Sequence, residues 1–448
     1  MRFSRSINKF LLVLLMLISS LNYSDSKEIT FPLKFDFGNG KTEPGYLAVD
    51  ENTVFNPDRE FGFLYDGKIK SVTTKNEDAL TGDFISGDQP FYFTVKLPEG
   101  RYKITLTLGD PEGSSATTVK AESRRLMLEN IQTEKGEVLE KTIVVDVRTP
   151  KINDSTEVRR KSRELVYLNW DNQLTLEFGG PRPCISSLQI EEANDLPVIY
   201  LAGNSTVVDQ EYEPWASWGQ MFPRFLKPEI VVANYAESGE TLKAFRRENR
   251  LKKILSLMKP GDYLFIEFAH NDQKPGGNHV EPFTTYQDEL RYFIKSAKEK
   301  GGKTILVTST NRRNFDENGK IVNTLEEYPE AMRQLAREEN IPLVDLNRMS
   351  KQFYESLGVE NSKKAFVHYP ANSYPNQGQP LADNTHFSPY GAYELAKCVV
   401  QGLVEMNHEI STFIVGDWID FDPNHPDDWQ NFFWPDSPAI DVLKPDGS

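Results

Sequence analysis

The sequence predicts a three-layer α/β region, a parallel sheet with helices on both faces, preceded by an all-β sandwich. Three observations predict it. Residues 29 to about 192 alternate apolar and polar side chains with period two, in runs broken by Pro, Gly and Asp. Beyond Asn194-Asp195-Leu196-Pro197 the apolar runs lose that alternation, as strands buried on both faces do. Between those later runs lie stretches with helical spacing.

The elements follow in chain order. Arg2, Arg5 and Lys9 precede a short apolar run, Phe10 to Ile18, and small residues Ser19, Ser20 and Ser24. Residues 1–26 therefore read as a signal peptide, and the chain as exported, to the periplasm or the extracellular space. The run is short for a membrane span, and no other segment approaches the length needed, so no membrane span is expected once the leader is removed. In residues 27–194, Phe91, Phe93 and Val95 lead into the turn Pro98-Glu99-Gly100, and Tyr102, Ile104, Leu106 and Leu108 leave it. Ile143, Val145 and Val147 repeat the pattern, as do Leu174, Leu176 and Phe178. Antiparallel strands with one buried face, and almost no helical spacing, make a β-sandwich the economical reading.

Residues 195–448 form the second region. Buried strands are expected at Val198 to Ala202, Val231 to Ala233, Tyr263 to Phe268, Thr304 to Thr308 and Pro342 to Val344. Helices are expected over Phe283 to Lys298, where Tyr286, Leu290, Phe293, Ile294 and Ala297 share a face, and over Leu325 to Glu338. From about Gly416 the chain is rich in Asp, Pro and Trp and reads as an irregular tail packed by Trp418, Trp429 and Trp434. Cys184 and Cys398 read as two buried free thiols, with a disulfide, which export would permit, as the alternative.

Composition narrows the function. The formal net charge is −15 and no long basic cluster is present, which argues against a nucleic-acid partner. Gly302-Lys303-Thr304 lacks the first glycine of a phosphate loop, because Ala297 stands there, and a strand rather than a helix follows. There is no Gly-x-Ser-x-Gly elbow and no His-Glu-x-x-His. The six histidines show no zinc spacing, so neither metal nor organic cofactor is expected.

In an open parallel sheet ligands bind beyond the carboxyl ends of the strands. Four polar clusters fall there: Gly203-Asn204-Ser205-Thr206, Ser238-Gly239, His270-Asn271-Asp272 and Asp383-Asn384-Thr385-His386. They supply the parts of a serine esterase. Ser205 fits the nucleophile, His386 the general base, and Asp383, three residues earlier, the carboxylate that orients it from one short turn. The N–H of Ser205, the N–H of Gly239 and the amide of Asn271 fit an oxyanion hole. Taken singly, Ser205 reads more readily as a helix N-cap, and it is the other blocks that turn the reading to a nucleophile. His270 either shapes the substrate cleft or bonds locally, and Asp272 reads as structural.

These four blocks, in this order, resemble the SGNH, or GDSL-type, hydrolases over about residues 197 to 410. Leu201-Ala202-Gly203-Asn204-Ser205-Thr206 and Glu267-Phe268-Ala269-His270-Asn271-Asp272 resemble the rhamnogalacturonan acetylesterase family in particular. The resemblance implies a flavodoxin-like SGNH fold and the same roles for Ser205, Asp383, His386, Gly239 and Asn271. Asn204 stands where that family commonly has Asp, and Ala269 where it has Gly, which bears on substrate preference. Phe35-Asp36-Phe37-Gly38, the turn Leu97 to Tyr102 and Ile185 to Ile190 resemble galactose-binding-like domains. The expected function is deacetylation of a plant cell-wall polysaccharide, rhamnogalacturonan first, through an acyl-enzyme. The alternatives are an acetylxylan esterase, a lipase or lysophospholipase on the same fold, and a silent polysaccharide-binding protein.

Overall fold

The computed structural model describes residues 29–64 and 68–438; the leader assigned to residues 1–26 lies outside them. Two five-stranded sheets face each other in the N-terminal region. One runs in the order Val138–Val147, Gly100–Gly109, Ser187–Glu192, Leu33–Phe37, Leu47–Val49. The other runs Phe61–Phe63, Phe91–Lys96, Gln173–Arg182, Ser115–Ala121, Arg125–Thr133. All these pairings are antiparallel except Leu33–Phe37 with Leu47–Val49. The alternating residues named from the sequence fill the space between the sheets. Phe35 and Phe37 meet Phe93 edge to face across it, with ring centroids 5.3 and 4.9 Å apart.

The second region is built on a parallel five-stranded sheet, ordered Val231–Asn234, Val198–Gly203, Tyr263–Glu267, Lys303–Val307, Leu343–Val344. Period-two geometry explains the unbroken apolar runs. Ile199 and Leu201 enter one core, Val198, Tyr200 and Ala202 the other. Helices Gln287–Glu299 and Tyr328–Glu338 cover the second face; helices Leu346–Asn361 and Pro389–Glu405 cover the first. None of the described helices is long and apolar enough to cross a membrane. Cys184 and Cys398 are both buried and free.

The two regions share a polar seam. Arg125 donates from Nε and Nη2 to Asp209 at 3.1 and 2.8 Å, and both residues are about 1% exposed. Arg124 donates to the carbonyls of Gln210 and Trp215 and pairs with buried Glu213. The tail from Gly416 is irregular, as expected, with Trp418, Trp429 and Trp434 partly buried against the core. It also reaches back to the sandwich. Trp434 donates to Glu213 at 2.8 Å, and Lys120 lies 4.0 Å from its ring and donates to Pro435 O.

Candidate active site

The strand Val198–Gly203 ends at a turn that presents Ser205. Gly203 is required there, because a Cβ would come within 2.5 Å of Val207 and 3.1 Å of the Glu267 carbonyl. The Asn204 carbonyl accepts the N–H groups of Val207 and Val208, and its side chain accepts that of Thr206. Ser205 therefore sits on a closed turn, with its own carbonyl held by Gln210 at 2.8 Å. It caps no helix; the next helix, Trp218–Met221, is capped by Ser217. The Ser205 hydroxyl instead faces His386, with Oγ 2.9 Å from Nε2.

His386 Nδ1 lies 2.8 Å from Asp383 Oδ2. This geometry selects the neutral tautomer in which Nδ1–H donates to the carboxylate and Nε2 accepts the serine proton. The short turn expected to carry both residues is a bulge in a strand. Phe366 pairs with Phe387 and His368 with Ala382, so Val367 alone faces the four residues Asp383 to His386. Asp383 Oδ1 closes the bulge by accepting the N–H groups of Thr385 and His386 at 2.8 and 3.0 Å. Burial opposes ionisation of Asp383, but these bonds and the His386 ring outweigh it and hold the carboxyl down at about 2. Asn384, on the far side of the bulge, is held by Arg313 and His368.

The opposite wall of the site comes from the second and third strands. Gly239 has φ +80°, a left-handed conformation that side chains with a Cβ resist. Asn271 donates one amide N–H to the Glu240 carbonyl at 3.1 Å, which seats the amide beside Gly239. Asp272 is fully buried and accepts the N–H of Leu242 at the start of helix Leu242–Arg247, the structural part expected of it. His270 is 1% exposed, with Nε2 3.5 Å from Thr310 Oγ1 and its carbonyl bonded by Arg312. Burial, then the charges of Arg312, His386 and Lys274, push its pKa well down, so the ring is neutral. Among the described residues no group of three His, Cys, Asp or Glu side chains is placed to hold a metal ion.

Two parts of the site escape sequence reasoning. Glu267, the last residue of its strand, is buried behind the serine turn and bonds Thr206 Oγ1 at 2.8 Å and Trp218 Nε1. Burial raises its carboxyl to about 7. Its place at the carboxyl end of a buried strand is the signal that could have found it. The other part is an arm of the N-terminal region, residues 159 to 170, which packs on the loop bearing Gly239 through Lys161 and Arg163. No sequence pattern marks that contact.

Residues 201–392 match the GDSL-like lipase/acylhydrolase family. The chain is also 43% identical to the rhamnogalacturonan acetylesterase RhgT of Bacillus subtilis (strain 168) over 219 residues, 48% of this chain and 94% of that relative. The chain belongs to the GDSL-like lipase/acylhydrolase family. Like its relatives in that family, it is an esterase. Residues 33–136 match the β-agarase/YXIM esterase-like, galactose-binding domain-like family. The uncharacterized esterase YxiM of Bacillus subtilis (strain 168) is 28% identical over 385 residues, covering 83% of this chain and 90% of YxiM. The crystal structure of the Bacillus subtilis protein YXIM is 27% identical, with a TM-score of 0.45, over 84% of this chain and 99% of that one. RhgT has no room for a second region of this size, since 219 residues nearly exhaust it. The GDSL-like part is thus shared with short relatives, and the sandwich is an addition.

Proposed function

We propose that this GDSL-like esterase is exported and removes acetyl groups from a plant cell-wall polysaccharide, rhamnogalacturonan, through an acyl-enzyme on Ser205. The observation that carries the reading is the continuous chain Ser205 Oγ, His386, Asp383 at 2.9 and 2.8 Å, in a chain that is 43% identical over 219 residues to a named rhamnogalacturonan acetylesterase. His386 takes the proton of Ser205 as Oγ attacks the acetyl carbonyl. The C–O bond to the sugar breaks, and the sugar oxygen leaves with the proton held by His386. Water then enters, gives its proton to His386, and attacks the acetyl-serine; acetate departs and Ser205 recovers its proton. Asp383, ionised well below neutral pH, fixes the tautomer and stabilises the imidazolium formed in each step. The negative oxygen of each tetrahedral intermediate is met by the N–H groups of Ser205 and Gly239 and by the amide of Asn271. His270, beside Asn271, shapes the floor of the cleft. None of these steps calls on a metal or an organic cofactor.

The test is acetate release from acetylated rhamnogalacturonan, from acetylated xylan and from a long-chain ester, each with wild type and Ser205→Ala. Acetate from the pectic substrate, lost in the variant, is expected. Acetate from xylan alone keeps the mechanism and replaces the substrate. Fatty acid from the long-chain ester points to a lipase, and silence on all three to a binding protein.

A further inference from the structure

The arm of residues 159 to 170 is built as a rigid bracket. Glu164 and Arg250 are both fully buried and form an ion pair, Glu164 Oε2 also accepts the N–H of Lys161 at 2.7 Å, and Glu164 Oε1 accepts Trp170 Nε1 at 3.1 Å. Arg159 N–H donates to the Glu248 carbonyl at 2.9 Å, just before helix Arg250–Leu257. A segment of the N-terminal region is thereby fixed to the catalytic region at its base.

From that base two cations reach one atom. Lys161 Nζ and Arg163 Nη2 both donate to the carbonyl oxygen of Ser238, the arginine at 2.8 Å. Arg163 also holds Glu237 Oε1 through Nε and Nη2 at 3.0 and 2.6 Å. Lys161 pairs with Glu240 Oε1 at 2.7 Å. The acceptors at 237, 238 and 240 surround Gly239. The Ser238 carbonyl and the Gly239 N–H belong to the same peptide unit. That unit is planar, so fixing the direction of its C=O fixes the direction of its N–H on the opposite side. Charge-assisted bonds at the oxygen also polarise the unit and strengthen its N–H as a donor.

We propose that Lys161 and Arg163 are positioning residues for the oxyanion hole, two cations of the N-terminal region that orient and polarise the Ser238–Gly239 peptide. The proposal rests on the reading of the Gly239 N–H as an oxyanion donor. It makes the sandwich region part of the catalytic machinery of this chain.

The experiment uses the full chain and a small aryl acetate ester, so that polysaccharide contacts play no part. Lys161→Gln, Arg163→Gln and the double variant are compared with wild type for kcat, KM and affinity for an alkylboronic acid, whose serine adduct puts an oxygen in the oxyanion position. Losing an oxyanion donor outright costs about a hundred- to a thousandfold in kcat, so a donor left in place but misaligned should cost about tenfold per variant and about a hundredfold in the double. KM should stay within about twofold, boronate affinity should fall in step with kcat, and Arg163→Lys should recover part of the loss. Removing a cation strands a buried glutamate, so Lys161→Gln combined with Glu240→Gln serves as the charge-balanced variant. It should also lose kcat, and it carries the test if the single variants do not fold. Asn271→Ala separates the two claims. If it loses kcat while the folded cation variants keep theirs, the proposal is overturned and the oxyanion hole stands. If Asn271→Ala keeps full kcat, the reading of the oxyanion hole itself falls. Loss confined to KM, or boronate affinity unchanged while kcat falls, also overturns the proposal.

Discussion

Buried charge at the margin of the sandwich and buried charge around Ser205 serve different ends. Between the sheets of the sandwich the filling is aliphatic and aromatic, and three of the buried cations, Lys120, Arg124 and Arg125, sit at its margin. There they meet Glu177, Glu213 and Asp209 and the carbonyls of the neighbouring region. In the parallel-sheet half one group of buried polar side chains, Glu267, Asp272, Asp383 and His386, lies towards the carboxyl ends of the strands, around Ser205. One group of buried charges joins the two regions, and the other lines the candidate site. A buried ion pair contributes little net stability over an apolar pair, yet breaking one is costly. The seam charges therefore specify how the halves join, and the site charges specify protonation states.

That contrast can be broken from either side. The largest effect is expected at the chemical end. Asp383→Asn removes the acceptor that selects the His386 tautomer while keeping the shape of the bulge. The expected loss is about ten-thousandfold in kcat, the scale seen when this part of a catalytic triad is altered, with circular dichroism unchanged. A loss under about tenfold would show that the carboxylate only shapes the bulge. The smaller effect is expected at the seam. Arg125→Ala leaves buried Asp209 without its cation and should cost about 3–5 kcal/mol in urea unfolding. A cost below about 1 kcal/mol, the range of exposed pairs, would make the seam incidental.

Much of the fold was legible because its elements are marked locally. The alternation of Tyr102, Ile104, Leu106 and Leu108 is a property of one strand, and so is the unbroken run Val198 to Ala202. The helix over Leu346–Asn361 went unmarked, although Asp345 caps it and Leu346, Met349 and Phe353 are its buried residues; Gly358, at φ +73°, interrupts it near the end. The four polar blocks of the candidate site were legible for a related reason, since each lies at the end of a buried strand or before a long helix. The spacing of Asp383 and His386 indicated proximity but not the hairpin, whose partner Phe366–Tyr369 lies across a long loop. The arm was illegible altogether. Arg159 to Glu164 holds five charged residues in six with no apolar period, and the acceptors of Lys161 and Arg163 at 237, 238 and 240 lie more than seventy residues away, where no motif connects them. Tertiary ion pairs leave no trace in the pattern of one sequence.

The central claim is that Ser205, activated by His386, is the nucleophile. Its most direct measurement is labelling of the full chain with a fluorophosphonate, followed by intact mass and peptide mapping. The account predicts one adduct, on the peptide containing Ser205, absent in Ser205→Ala and strongly slowed in His386→Ala. An adduct on another residue, or continued ester hydrolysis by Ser205→Ala, would contradict it.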